Sequence, residues 1–279
     1  MKKNIILLLT ISAAGIFSGC QFNTAKQETN IPEVTGDFEI HIMQSGQADA
    51  IILTTENHSV LIDCGEKDDG DDIVKYLNEN DTNRIDYMFI THFDKDHVGG
   101  FPEVTESIDA DNIIVPDYKG TNKEYQEYLE ALSDNNLCSA ALTEDMSFVL
   151  DDCLFEVKPP QKTSYDGDND FSLVISVTHG NNKFLFAGDA EKKRLSEIMK
   201  TFKGGYDFLK VPHHGRYNSL TKSFFEWARP EYAVITDSKK NPAEDKTLAG
   251  LDNINCKIYQ TKDGSVSILS DGMEITIIQ

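Results

Sequence analysis

Three times in this chain an apolar, strand-like run ends on histidine or aspartate beside a glycine turn. The stretches are "YMFITHFDKDHVGG" (87–100), "KFLFAGDAE" (183–191) and "DFLKVPHHG" (207–215). A strand end is held by its sheet, while the loop beyond it is free to carry chemistry. The first stretch places His92, Asp94, Asp96 and His97 within six residues. Imidazole nitrogen and carboxylate oxygen are ligands for divalent cations. Buried without a cation, such a cluster would leave its carboxylates uncompensated. Gly99 and Gly100 permit the sharp exit and close backbone approach that a metal loop needs. One loop does not complete a coordination sphere. Asp189, His213 and His214 are the further candidates, each placed after its own apolar run.

The rest of the chain supplies the sheets for these loops. "FEIHIM", "AIILTT" and "HSVLID" read as early strands, the last two a hairpin turning at 56–58. "RIDYMFI" and "NIIVP" read as strands flanked by the amphipathic helices "DDIVKYLNEN" and "NKEYQEYLEALSD". "MSFVLDDCLFEVKP" and "SLVISVTHGNNKFLFAG" read as hairpins. Helices are expected in "AEKKRLSEIMKTF" and "SLTKSFFEWA", strands in "YDFLKVP" and "YAVIT", and two or three strands in the tail from Lys257. No repeat or internal linker interrupts this order. The pattern predicts one α/β domain of two sheets with helices on their outer faces.

The first residues do not fit that domain. A basic "MKK", an apolar "NIILLLTISAAGIF" and small residues before Cys20 resemble a bacterial lipoprotein signal, with Phe17 departing from the usual leucine. The resemblance implies a signal peptide over 1–19, cleavage before Cys20 and lipidation of its thiol. A plain secretory signal or a single anchor helix are the competing readings. Residues 20–36 are polar and aperiodic, as expected of a tether off an outward-facing membrane surface. The domain is then 37–279.

A formal net charge of −21 argues against a broad basic groove for nucleic acid. Loss of Lys2 and Lys3 with the leader makes it −23. The run "EKDDGDD" (66–72) reads as a solvated face. No Cys-x-x-Cys pair exists among the five cysteines, so a thiolate zinc cluster is not expected. Cys138 and Cys153 are spaced to bridge a hairpin, and the alternative is that the cysteines other than Cys20 are small buried hydrophobes. His41, His58 and His179 read as structural or solvated. "DGDNDF" (166–171) begins like a calcium loop but lacks its glycine and closing glutamate. "SGQADA" lacks the Gly-Lys of a phosphate loop.

Taken in order, "LIDCG", "THFDKDHVGG", "FAGDAE" and "KVPHHG" resemble the metallo-β-lactamase-fold hydrolases. Within them the chain is most similar to the hydrolase domain of the competence protein ComEC, whose boxes "SGQADA", "NDFSLV" and "TKDGSVSILSDG" also resemble. The resemblance spans Phe38 to Gln279 and implies an αββα sandwich with two divalent metal ions, zinc or manganese, at one edge. It implies His92 and Asp94 at one metal, Asp96 and His97 at the other, and Asp189 bridging both. One histidine of the "HHG" box completes the second site. His214 is taken as that ligand and His213 as a substrate-facing group, so that Asp96 and His213 are the catalytic candidates. Asp63 would lie beneath the ligands and orient them.

The chain departs from many members in having Asp94 for a histidine and no lone histidine before "GDA". Arg216 follows "HHG" where serine is common, and "DSKKNPAEDKTL" lacks a histidine often found there. The implied activity is phosphodiester hydrolysis, of nucleic acid or a smaller diester, with no protein partner indicated. A β-lactam or lactone hydrolase, and a non-catalytic surface binding protein on the same fold, are the alternatives.

Overall fold

A computed structural model describes the chain over residues 32–279. The expected leader, Cys20 and most of the tether lie outside the described residues. The first sheet holds β1 (Phe38–Ile42), β2 (Ala50–Thr54), β3 (Ser59–Cys64), β4 (Arg84–Phe89), β5 (Asp109–Pro116) and β6 (Ser139–Leu142). The second holds β7 (Met146–Leu150), β8 (Cys153–Lys158), β9 (Val174–His179), β10 (Asn182–Phe186), β11 (Phe208–Lys210), β12 (Tyr232–Ile235) and β13 (Lys257–Gln260). β14 (Val266–Ser270) and β15 (Ile275–Ile278) return to the first, giving the orders β15-β14-β1-β2-β3-β4-β5-β6 and β13-β12-β11-β10-β9-β8-β7.

Each sheet is part antiparallel and part parallel. β3 to β6 run parallel, as do β10 to β13. Parallel neighbours need crossovers, and helices supply them. On the first sheet these are α1 (Asp69–Glu79), α2 (Lys95–Val98), α3 (Phe101–Ser107) and α4 (Lys123–Asp134). On the second they are α5 (Lys192–Thr201), α6 (Thr221–Ala228) and α7 (Asp245–Asp252).

Period-2 burial sets the layers. In β1, Phe38, Ile40 and Ile42 are buried while Glu39 and His41 are partly exposed. β3 is buried on both faces: Val60 and Ile62 join the core between the sheets, and Leu61 joins the core under α1 and α3. A third cluster under α5 and α6, with Leu195, Ile198, Phe224 and Phe225, covers the second sheet. The two sheets are therefore sandwiched between helical layers, as one domain. Each fully buried Phe, Leu or Ile contributes on the order of 2 kcal/mol, so all three clusters contribute substantially to cohesion.

Several elements went unread in the sequence. Residues 95–107 form α2 and α3 rather than a continuous loop, and β6 and α7 are additional. The proposed Cys138–Cys153 bridge is absent: the hairpin is β7–β8, whereas Cys138 precedes β6 on the other sheet, and both thiols are free. Cys64, Cys153 and Cys256 are buried, but Cys138 is exposed. Where the tether meets the domain, Asp152 Oδ2 accepts the Thr35 and Gly36 amides at 2.7 and 2.9 Å. Among the described residues no helix is long and apolar enough to cross a membrane.

Candidate metal centre

The three loops found in the sequence meet at the C-terminal ends of parallel strands, where α/β sheets open a crevice. β4 leads into His92–His97, β10 into Asp189, and β11 into His213 and His214. β3 contributes Asp63 and β12 leads into Thr236.

The first loop is pinned from the helical side. Phe93, between His92 and Asp94, packs against Tyr118, Tyr125 and Tyr128 with ring centroids 4.6–5.3 Å away. The Asn122 amide caps α4 through Tyr125 N and donates to Phe93 O at 2.6 Å. Alternation then turns His92 inward. A Cβ on Gly100 would strike the Cys64 carbonyl, so the glycine serves close approach rather than an unusual backbone angle. Gly188, before Asp189, has φ 52°, and a Cβ there would press on Ser172 and Thr91.

Hydrogen bonds beneath the cluster decide which ring nitrogens are bare. Thr91 Oγ1 donates to Asp63 Oδ2 at 2.7 Å, so it accepts from His92 Nδ1 at 3.1 Å. His97 Nδ1 donates to Asp63 Oδ2 at 2.8 Å, and Asp63 Oδ1 takes the Thr91 amide at 2.7 Å. His214 Nδ1 donates to Thr236 Oγ1 and to the Thr236 carbonyl, at 2.9 and 3.1 Å. All three Nε2 atoms are then left with free lone pairs, a tautomer set by the partner of the other nitrogen. His92 Nε2, His97 Nε2, His214 Nε2 and Asp189 Oδ1 are buried without a hydrogen-bond partner.

These atoms face one another. Asp189 Oδ1 is 3.3 Å from His97 Nε2, and Asp189 Oδ2 is 3.1 Å from His214 Nε2. Asp96 Oδ2 is 3.6 Å from His214 Nε2, and Asp94 Oδ2 is 3.6 Å from His92 Nε2. His92, His97 and Asp189 can converge on one ion, as can Asp96, His97 and His214. Bare nitrogen against carboxylate oxygen sets acceptor against acceptor, which either a proton or a metal cation between them relieves. Burial opposes charge on both partners, yet Asp189 and Asp63 push the His97 imidazole up, and His214 and His97 hold the Asp189 carboxyl well below the usual range. Charge supports the same conclusion. Asp49, Asp63, Asp94, Asp96 and Asp189 are five carboxylates against one buried ammonium, Lys210. With neutral histidines the centre carries an excess of negative charge, which divalent cations would offset. The residues fit divalent metal.

His213 lies apart from this set. Its Nε2 is 4.0 Å from Asp189 Oδ2, its Nδ1 is 3.2 Å from Glu191 Oε1, and the Asn169 amide lies 3.3 Å from its Nε2. Burial pulls its imidazole below the ordinary value. His213 and His214 both have left-handed φ, 50° and 49°, which throws their rings to different sides, 6.3 Å apart. The other histidines have structural partners: His41 stacks on Tyr76, His58 bonds Asp86, and His179 bonds Ser270.

Sequence reasoning assigned no role to Asp49, Thr91, Asn169, Glu191, Lys210 or Thr236. Two of these carried a signal: Lys210 is the one charge in the apolar run "FLKVP", and Asp49 sits in "SGQADA" at the mouth of β2.

Comparison with known proteins agrees with this architecture. The chain is 25% identical over 210 residues to Recombination protein 2 of Haemophilus influenzae, covering 74% of this chain and 25% of that protein. It is 24% identical over 229 residues to ComE operon protein 3 of Bacillus subtilis, covering 75% and 30%. The chain thus spans under a third of the curated relatives it matches. Among solved structures, the metallo-beta-lactamase fold protein YhfI from Bacillus subtilis superposes with a TM-score of 0.54 at 11% identity, over 81% of this chain and 98% of that one. The model of the Metallo-beta-lactamase superfamily matches residues 44–235, and the chain belongs to that superfamily.

Proposed function

We propose that this protein is a metal-dependent phosphodiester hydrolase, held outside a bacterial membrane by lipid on Cys20. One observation carries the catalytic part: three buried Nε2 lone pairs and a bare Asp189 oxygen converge where five carboxylates outnumber one lysine. His92, Asp94 and Asp189 would hold one cation, and Asp96, His97, His214 and Asp189 the other. Divalent cations there supply Lewis acidity and lower the pKa of water toward about 7.

The chain's own residues do the rest. Asp63 and Thr91 lock the His92 and His97 rings from below, so the ligands need no reorganisation during reaction. Glu191 Oε1 lies 3.2 Å from His213 Nδ1 and places negative charge beside that ring at the rim. From there His213, once protonated at Nε2 in place of the Asn169 contact, would give a hydrogen bond or proton to a leaving oxygen. Phosphodiester chemistry is supported by the oxygen-rich ligand set, in which Asp94 stands for a histidine, and by similarity to the competence and recombination proteins.

The test is turnover by purified protein of single-stranded DNA, bis-nitrophenyl phosphate and a chromogenic cephalosporin, each with zinc and with manganese. Diester cleavage without cephalosporin turnover is expected, and the reverse result overturns the reading. For the anchor, Cys20→Ser is expected to release the protein to the medium or leave it unprocessed. Processed, membrane-retained Cys20→Ser protein would count against it.

A further inference from the structure

Lys210 has no exposed surface, which is costly for a lysine unless it is paired. Its Nζ makes an ion pair with Asp49 Oδ2 and lies 3.8 Å from Asp189 Oδ1. The other Asp49 oxygen receives the Thr236 hydroxyl at 2.7 Å. Having given its proton to Asp49, that hydroxyl can only accept from His214 Nδ1, 2.9 Å away. Ammonium and hydroxyl both donate to the carboxylate, and the imidazole donates to the hydroxyl and to the Thr236 carbonyl 3.1 Å away, which together leave His214 Nε2 without a hydrogen. That nitrogen faces Asp189 and Asp96.

We infer that Lys210, Asp49 and Thr236 are positioning residues for the metal centre: the relay, together with the Thr236 carbonyl, holds the His214 ring in its ligating tautomer and orientation, and Lys210 supplies positive charge against the Asp49 and Asp189 carboxylates. Neither Lys210 nor Thr236 needs to touch substrate. The inference rests on the metal-binding reading, and it makes the two halves of the centre unequal. The Thr236 end of the relay reaches only His214, because His92 and His97 are oriented by Thr91 and Asp63.

Calorimetric titration of the metal-stripped full chain with zinc alone, and with manganese alone, tests it. Wild type is expected to take two cations. Thr236→Val, which keeps shape and removes the hydroxyl, should weaken one binding step about 10–100-fold and leave the other unchanged. Thr236→Ser should restore it. Lys210→Met should lower the melting temperature of the metal-free protein more than that of the loaded protein, since divalent charge substitutes for the ammonium. A Thr236→Val protein that titrates like wild type, or a Lys210→Met protein destabilised equally in both states, overturns the inference while the metal reading stands. A wild-type chain that takes up neither cation overturns the metal reading itself.

Discussion

His97 Nδ1 lies 2.8 Å from Asp63 Oδ2, and neither side chain has any exposure to solvent. The same carboxylate also receives the backbone amide and hydroxyl of Thr91, the residue next to His92. One aspartate thus orients both histidines of the first loop, from a backbone held at φ 60°. Asp63→Asn turns one acceptor toward His97 into a donor and forces the ring to reverse its tautomer. Metal affinity is expected to fall about 10–100-fold. Asp63→Ala leaves buried donors unmatched and should cost at least about 2 kcal/mol of stability by denaturant titration. Unaltered metal affinity in a folded Asp63→Asn protein would show that the pair does not orient the ligand.

Of the proposed ligands, Asp189 is expected to be the costliest to lose. It approaches both His97 and His214, so Asp189→Ala should remove at least one cation and nearly all turnover while the fold persists. Chelation is expected to lower wild-type stability by about 4 kcal/mol for each cation that had been present at a thousandfold its Kd. The same chelation should matter less for Asp189→Ala. Elemental analysis showing full occupancy in folded Asp189→Ala protein refutes the bridging role.

Away from the metal, Asp69 carries a pH-dependent penalty. Burial and the neighbouring Glu66, Asp72 and Asp68 charges raise its carboxyl to about 6, although the Glu66 amide donates to it at 2.7 Å. A raised folded pKa means the folded state prefers the protonated acid, so stability is lost as pH rises from about 4 to about 6. Asp69→Asn should therefore stabilise the protein above pH 6, by on the order of 1 kcal/mol after solvent screening, and not below pH 4. The check is thermal unfolding of both proteins across that range. An equal effect at both pH values would assign the change to something other than titration.

Substrate approach should depend on substrate charge. A chain at −21 repels a long polyanion, and salt screens that repulsion. Cleavage of long single-stranded DNA is expected to improve with moderate added salt, opposite to a basic nuclease. A small zwitterionic diester should show little change. Initial rates across a salt series decide this, and DNA cleavage that falls steadily from the lowest salt contradicts it.

Local rules made much of the fold legible. Alternation in "FEIHI" and helical spacing in "NKEYQEYLEALSD" show in β1 and α4, because each buries a single face. β6, only Ser139–Leu142, has no period long enough to read, and α7 has few apolar residues and no side-chain cap. The Cys138–Cys153 pairing failed for a different reason. Spacing cannot show that β6 and β7, neighbours in sequence, belong to opposite sheets.

By itself the sequence determined the ligand chemistry and its placement at strand ends, since histidine and aspartate after apolar runs are local facts. Tertiary structure decided the rest of the centre. Two adjacent histidines are equivalent on paper, and only the left-handed backbone at His213 and His214 sends one ring into the cluster and the other to its rim. Lys210 is marked in the sequence only as a charge within an apolar run, and the structure buries it on β11 between β10 and β12. Asp49, 161 residues away, then becomes its partner, because a charge removed from water must find its counter-charge inside the fold.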